Sequence, residues 1–346
     1  MGTLVLTLRP QLVLNLVLSP EAASMEVAIP YLRLRALSMI PQLVTATCSA
    51  AFRGTRDTKT PFFISLVASA IKLALDPQLI FRTSLGAAGA TISTLVAETF
   101  GGVTSLYFLT KRKLVDIGQI FKLPSKKTLT SLLSAGVIMF IRQAAINAIT
   151  LACSKNAMNV DTAGVAAAAY GIVMQMYTCG FVVHVAVQGA AAAIIPFQLV
   201  KHGKEEARAI STRLFQFSAL TGLSLGIIQA ILAPLLIPLF TPLEEVREAA
   251  KIPALISGLL HVVNGPRFVG EGTMMGLGSL LHLSGITVVG MCGLIAALRT
   301  RLGESLGGVM VANLLFCSYQ TLALLFHHYF VGKLSRRQER GVIKKY

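Results

Sequence analysis

Between Arg213 and Glu244 the chain reads LFQFSALTGLSLGIIQAILAPLLIPLFTPL, the 30 residues 214–243, without one charged side chain. About 20 apolar residues in a helix, each rising about 1.5 Å, cross the roughly 30 Å hydrocarbon layer of a bilayer. A surface helix of a water-soluble domain would set a charged face against its apolar stripe, and this stretch has none to offer. Most of it falls in the apolar run at about 209–240, which reads as a membrane span with length left over for tilt. Outward from it, apolar runs recur at about 1–18, 35–52, 62–81, 85–109, 129–153, 163–199, 252–276, 277–298 and 304–331. The fold class is therefore an all-α polytopic membrane protein.

The composition agrees: 54% of the 346 residues are hydrophobic, 13% are charged, and the mean hydropathy is +0.70. Soluble domains carry about a quarter charged residues. The formal charge of +16 raises nucleic acid as a partner. Lys and Arg fall between the apolar runs, and no aromatic-rich basic module accompanies them, so the lipid bilayer is the partner expected and nucleic acid is not. Cys48, Cys153, Cys179, Cys292 and Cys317 show no C-x-x-C spacing and read as small buried hydrophobes, with no metal site or disulfide framework implied. Arg9 and Pro10 interrupt the opening run, which reads as part of a membrane helix in preference to a secretory signal.

Basic residues concentrate in alternate connections: Arg53, Arg56 and Lys59; Lys111 to Lys127; Lys201 to Arg213; and the tail from Lys333. By the positive-inside rule these share the cytoplasm-like side. Leu85-Gly86-Ala87-Ala88-Gly89-Ala90 and Leu302-Gly303-Glu304-Ser305-Leu306-Gly307 open spans about 218 positions apart, each ending in a basic run. Two parallel six-helix repeats follow, and the offset would start the first about 90 residues before Met1. The expected organisation is 1–110 as the remainder of an N-terminal lobe lacking its first two to three helices, 111–128 as a basic inter-lobe loop, 129–332 as a C-terminal lobe, and 333–346 as a basic tail. Gly222-x-x-x-Gly226 and Gly272-x-x-x-Gly276 predict helices packed backbone to backbone.

Four stretches carry a family resemblance: Tyr31-Leu32-Arg33-Leu34-Arg35-Ala36-Leu37; Ala51-Phe52-Arg53-Gly54-Thr55-Arg56-Asp57-Thr58-Lys59-Thr60-Pro61; Leu75-Asp76-Pro77-Gln78-Leu79-Ile80-Phe81; and Leu85 to Ala90. Together they resemble the multidrug and toxic compound extrusion (MATE) family, in the branch shared by bacterial DNA-damage-inducible and plant organellar members. Their order matches the family's fourth to sixth helices, and the rest of the chain resembles helices seven to twelve. The resemblance implies a two-lobed secondary antiporter that exchanges a small organic substrate for protons or sodium ions, as a monomer in the plasma membrane or a plastid-type envelope. The acid that many members carry on their first helix has no counterpart here, and the connection after helix ten reads Gly276-Leu277-Gly278-Ser279, without an acid.

Ionisable groups inside spans are costly and are functional candidates by default. The resemblance places a helix-ten acid at Glu271, with Arg267 one turn before it and Pro266 adjacent. Coupling to a cation and a static ion pair both stay open for these residues. Asp76, next to Pro77 with Lys72 one turn earlier, reads as a locally satisfied kink; Glu98 is the remaining acid of the first half. Arg142, Gln143 and Asn147 are placed on one helix face, and with Gln175, Gln188 and Asn264 they are cavity candidates. His184, His261 and His282 read as isolated packing residues. Arg53, Arg56, Asp57 and Lys59 read as a gate or topology latch. Two alternatives stand beside the antiporter: a flippase for lipid-linked oligosaccharides, and a truncated non-transporting membrane protein. An enzyme is not expected, since no H-E-x-x-H or G-x-S-x-G is present.

Overall fold

The computed structural model describes residues 2–15, 24–55, 57–116, 118 and 125–335. Every regular element among them is helical. The helices are α1 (Gly2–Leu8), α2 (Gln11–Leu14), α3 (Ser24–Gly54), α4 (Lys59–Phe81), α5 (Ala87–Lys111), α6 (Lys126–Asn159), α7 (Val165–His202), α8 (Lys204–Phe240), α9 (Glu244–Gly276), α10 (Leu280–Leu298) and α11 (Leu306–Phe326). A 3₁₀ turn, Arg301–Glu304, precedes α11, and a π-helical turn, His327–Val331, follows it. By length and composition, α4 to α10 and the segment Leu306–Val331 can each cross a membrane, eight candidate spans among the described residues. The protein is a multi-pass integral membrane protein.

The chain divides into two compact units, Met1–Pro124 and Ser125–Tyr346. In the first unit, α5 packs on α3 and α4. The approach is close because Gly102 faces the Pro41 carbonyl, where an added Cβ would lie 3.1 Å away. Over residues 2–15 the opening run is two short helices broken at Arg9-Pro10, because proline cannot donate a backbone bond. The helix expected from residue 35 begins eleven positions earlier, at Ser24, and so takes in Glu26 and Arg33; this helix, α3, is not one of the eight candidate spans.

In the second unit α9 is the central helix, packed most extensively on α7 and α8 and then on α11. Within its most apolar window 61% of residues are buried, whereas α8 turns Ile231, Leu235 and Leu239 outward. The contact with α8 is backbone to backbone. An added Cβ on Gly222 would strike the His261 carbonyl, and one on Gly226 would lie 2.6 Å from the Gly258 carbonyl. Gly272 and Gly276 meet α7 in the same way at the carbonyls of Gln188 and Ala192. In hydrocarbon, where no hydrophobic drive pulls one helix to another, this close packing supplies the association.

Polar caps define the ends. Ser125 accepts the Thr128 amide at 3.3 Å and Ser305 the Gly308 amide at 3.1 Å. Asp161 accepts the amides of Val165 (3.0 Å) and Ala166 (2.6 Å) at the start of α7, and these bonds, the Ala166 amide first, hold its carboxyl below the ordinary range. Gly203 alone joins α7 to α8, with φ +87° and ψ −176°, a conformation open to glycine. All five cysteines are free; Cys48, Cys153 and Cys317 are buried, but Cys179 and Cys292 are exposed, against the expectation for those two.

Candidate functional site

Glu271 lies at the heart of the second unit, 2% exposed. Its Oε1 accepts Arg267 Nε at 3.0 Å, the i,i+4 pair the spacing predicts. Its Oε2 accepts Gln188 Nε2 of α7 at 2.8 Å and pairs with Arg142 Nη2 of α6. Three helices thus place donors on one carboxylate. Arg142 and Arg267 are 6% and 8% exposed, and the pair of guanidiniums against one carboxylate leaves one positive charge buried. Among the described residues, Arg142 Nε is buried with no hydrogen-bond partner. Desolvating such charges costs several kcal/mol each, so the cluster persists only because its members satisfy one another.

The polar seam continues along one face of α9. Arg267 Nη1 donates to Asn264 Oδ1 at 2.9 Å and contacts Cys317 Sγ of α11 at 3.5 Å. Asn264 Nδ2 donates to the Tyr177 hydroxyl of α7 at 2.5 Å. The Tyr177 ring stacks on His261 at 4.6 Å, and the Arg267 guanidinium lies 5.2 Å from the Phe268 ring and 5.5 Å from that of Phe316. From Ser257 to Glu271 the seam covers about four turns of α9, roughly 20 Å at the usual rise.

The structure joins some of the sequence candidates and separates others. Arg142, Glu271, Arg267, Asn264 and Gln188 meet. Gln143 and Asn147 bond to each other at 3.1 Å on an exposed face, away from Arg142. Adjacent helical residues point about 100° apart, so the single face expected for Arg142, Gln143 and Asn147 does not exist. Gln175 is exposed and stands outside the cluster. His184 and His261, expected as isolated, are hydrogen-bonded partners at 3.1 Å. His282 lies beside His327, ring centroids 5.3 Å apart.

In the first unit Lys72 Nζ meets Asp76 Oδ2 at 2.8 Å, and Ser93 of α5 binds the other oxygen, while α4 runs on through Pro77. Glu98 is half-buried on α5, and its backbone carbonyl accepts Thr45 Oγ1 at 3.5 Å. In the loop before α4, Asp57 accepts the amides of Lys59 (3.1 Å) and Thr60 (3.0 Å) and pairs with Arg112, which also donates to Thr60 Oγ1 at 2.8 Å. The Thr60 hydroxyl and amide, then Arg112, hold the Asp57 carboxyl down to about 2. This ties the α3–α4 turn to the end of α5. Arg53 and Lys59 are exposed, and Arg56 lies outside the described residues, as do Arg336, Arg337, Arg340, Lys344 and Lys345 of the tail.

Fold and site define a helical membrane protein built around a buried charge centre. The fold is that of MATE transporters: a crystal structure of a MATE in complex with MaL6 superposes with a TM-score of 0.84 at 15% identity, covering 100% of this chain and 76% of that one. Two Arabidopsis thaliana proteins agree. DETOXIFICATION 43 is 26% identical over 60% of this chain and 38% of its own length, and DETOXIFICATION 45, chloroplastic, is 25% identical over 85% and 51%. The chain spans about half the length of the curated relatives it matches, or less. Residues 19–157 match the profile of a family described as Lipid II flippase MurJ. The resemblance to the MATE family read from the sequence is borne out.

Proposed function

We infer that the chain works as a cation-coupled secondary antiporter, exporting organic compounds across a membrane by alternating access with protons or sodium ions as the coupling ion. The buried Arg142–Glu271–Arg267 centre carries this reading, because a charge cluster this costly, bridging three spans, is a device for changing partners as helices move. Closed as it stands, the centre admits a ligand only when α6, α7 and α9 part. Asp76 and Glu98 are the first unit's acids for the same cycle. The chloroplastic relative supports a plastid-type envelope as the membrane.

The test is flux in liposomes holding the full chain. A fluorescent organic compound should accumulate against its gradient when a pH or sodium gradient is imposed, and Glu271→Gln should abolish that accumulation. Unchanged coupled flux in Glu271→Gln would remove the centre from the mechanism. Fractionation of tagged protein, with plastid envelopes resolved from plasma membrane, checks the location.

One further reading has its own support. The match to a lipid II flippase profile, the net positive charge of the centre and the unpartnered Arg142 Nε together suit a pyrophosphate-bearing lipid. Labelled lipid-linked oligosaccharide crossing the bilayer only with the protein present would favour it. Movement of neither probe would favour the non-transporting protein.

A further inference from the structure

A second polar device lies in the same unit, beyond Asn264 and Tyr177. His184 of α7 and His261 of α9 are each 1% exposed, with His184 Nε2 and His261 Nδ1 3.1 Å apart. His261 Nε2 lies 2.8 Å from Gln229 Oε1 of α8; Gln229 Nε2 bonds to Ser257 Oγ, and Ser257 Oγ donates to the Ala254 carbonyl at 2.8 Å. The space is prepared for the ring: an added Cβ on Gly180 would lie 2.6 Å from His261 Cε1.

The hydrogens of this chain follow from its end. The Ala254 carbonyl offers lone pairs alone, so the Ser257 hydroxyl spends its hydrogen there and accepts from the Gln229 amide. Gln229 therefore presents its oxygen to His261, whose Nε2 carries the hydrogen. A neutral His261 then has a lone pair on Nδ1, so His184 Nε2 carries a hydrogen as well. One ring nitrogen is left outside the chain with a lone pair, His184 Nδ1. A proton arriving there forms an N–H bond while an O–H bond of hydronium breaks, and no group in the chain has to turn. The charge then spreads across both rings through the His184–His261 hydrogen bond, and Gln229 Oε1 accepts from the far end.

We propose that His184 and His261 form one proton-binding site, taking a single proton between them through His184 Nδ1. The proposal rests on the antiporter reading for its use and on the hydrogen-bond chain for its existence. It also divides the labour of the unit. Glu271 accepts three donors, all suited to a carboxylate, and a hydrogen on Oε2 would face two of them. The imidazole pair has a lone pair on His184 Nδ1 and an acceptor, Gln229 Oε1, at its far end.

The groups around the pair are few. From α7 comes the Tyr177 hydroxyl, from α8 the neutral Gln229, from α9 Arg267 with Glu271 beyond it, from α11 Cys317 against Arg267, and from α6 Arg142 on the far side of Glu271. Arg267 is the near charge and opposes a proton on the pair, with Glu271 offsetting it. His184 stands one turn before Gln188 on α7, so the pair and the charge centre share a helix as well as a seam.

The experiment is nitrogen NMR of the full chain with labelled histidine in lipid nanodiscs, the six histidines assigned by single variants. Two rings should take up one proton together as the pH is lowered, with coupling visible across their shared hydrogen bond. His184→Gln should abolish that uptake at His261. Gln229→Glu, which keeps the shape and adds an anion, should shift uptake to higher pH. Two rings neutral throughout, or each taking its own proton independently, would overturn the proposal. In liposomes His184→Gln should lose the pH-driven component of flux while retaining substrate exchange, and unchanged pH dependence would overturn the pair's role in coupling. Shared proton uptake in a wild-type protein that moves no compound would sink the antiporter reading and leave the proton site standing.

Discussion

Arg267–Glu271 in the second unit and Lys72–Asp76 in the first are the same local arrangement, a base four residues before an acid with a proline at hand, and they have opposite consequences. The first pair is 9% and 2% exposed in its side chains, the second 41% and 27%. The buried pair has recruited Arg142 and Gln188 from two other helices; the half-exposed pair has recruited one hydroxyl, Ser93. Spacing proposes an ion pair, and burial decides whether it organises the structure. A lone partner is intolerable in the buried site and less costly in the half-exposed one.

The comparison breaks first at Glu271. Glu271→Ala leaves two guanidiniums buried without their anion and should cost about 3–5 kcal/mol in unfolding of the purified protein. Arg142→Ala should cost clearly less, since Glu271 keeps Arg267 and Gln188. Equal losses from the two variants would mean that the centre is not organised around the carboxylate. Packing sharpens the contrast next. Gly226→Leu, set against the Gly258 carbonyl, should lower stability by about 1–3 kcal/mol or separate α8 from α9, whereas Gly102→Ala in the first unit, with 3.1 Å to the Pro41 carbonyl, should fall at or below the low end of that range. Lys72→Met should cost less than Glu271→Ala, since Asp76 keeps Ser93; a loss as large as that of Glu271→Ala would erase the distinction between the units. The last test concerns Asp57. Its carboxyl titrates near 2 when folded and near 3.8 when not, so its contribution is present above about pH 4 and lost as pH falls through about 2. An acid titration of unfolding should show that loss in the wild type and not in Asp57→Asn.

Much of the architecture was legible because a bilayer imposes length and apolarity on every span. The apolar run at 209–240 lies within α8, and the run at 252–276 is the C-terminal part of α9. Helix starts were read late wherever the first turns are charged, as in α3, since polar ends lie outside the apolar signal. At the site, the Arg267–Glu271 pair was legible from spacing alone. Arg142 and Gln188 could be named as polar residues in spans but not joined to Glu271, from which they stand 129 and 83 positions away. The histidines, 77 positions apart, looked solitary for the same reason. Gln143 is next to Arg142 in the chain, but the helix turns the two to different faces.

The seam on α9 also bears on how the protein is made. A span with an arginine and a glutamate at depth is penalised by roughly 2.5–3.5 kcal/mol for each when it enters lipid alone. Synthesis runs from the N-terminus, so α6, α7 and α8 emerge before α9, bringing Arg142, Gln188 and the glycine face of α8 ahead of the helix that needs them. Cys317, Phe316 and Thr321 of α11 arrive later. The order of helices in the gene is thus an order of assembly: α9 leaves the translocation machinery into a prepared slot among its elders, and a chain with α6 or α7 deleted should strand it at the membrane surface.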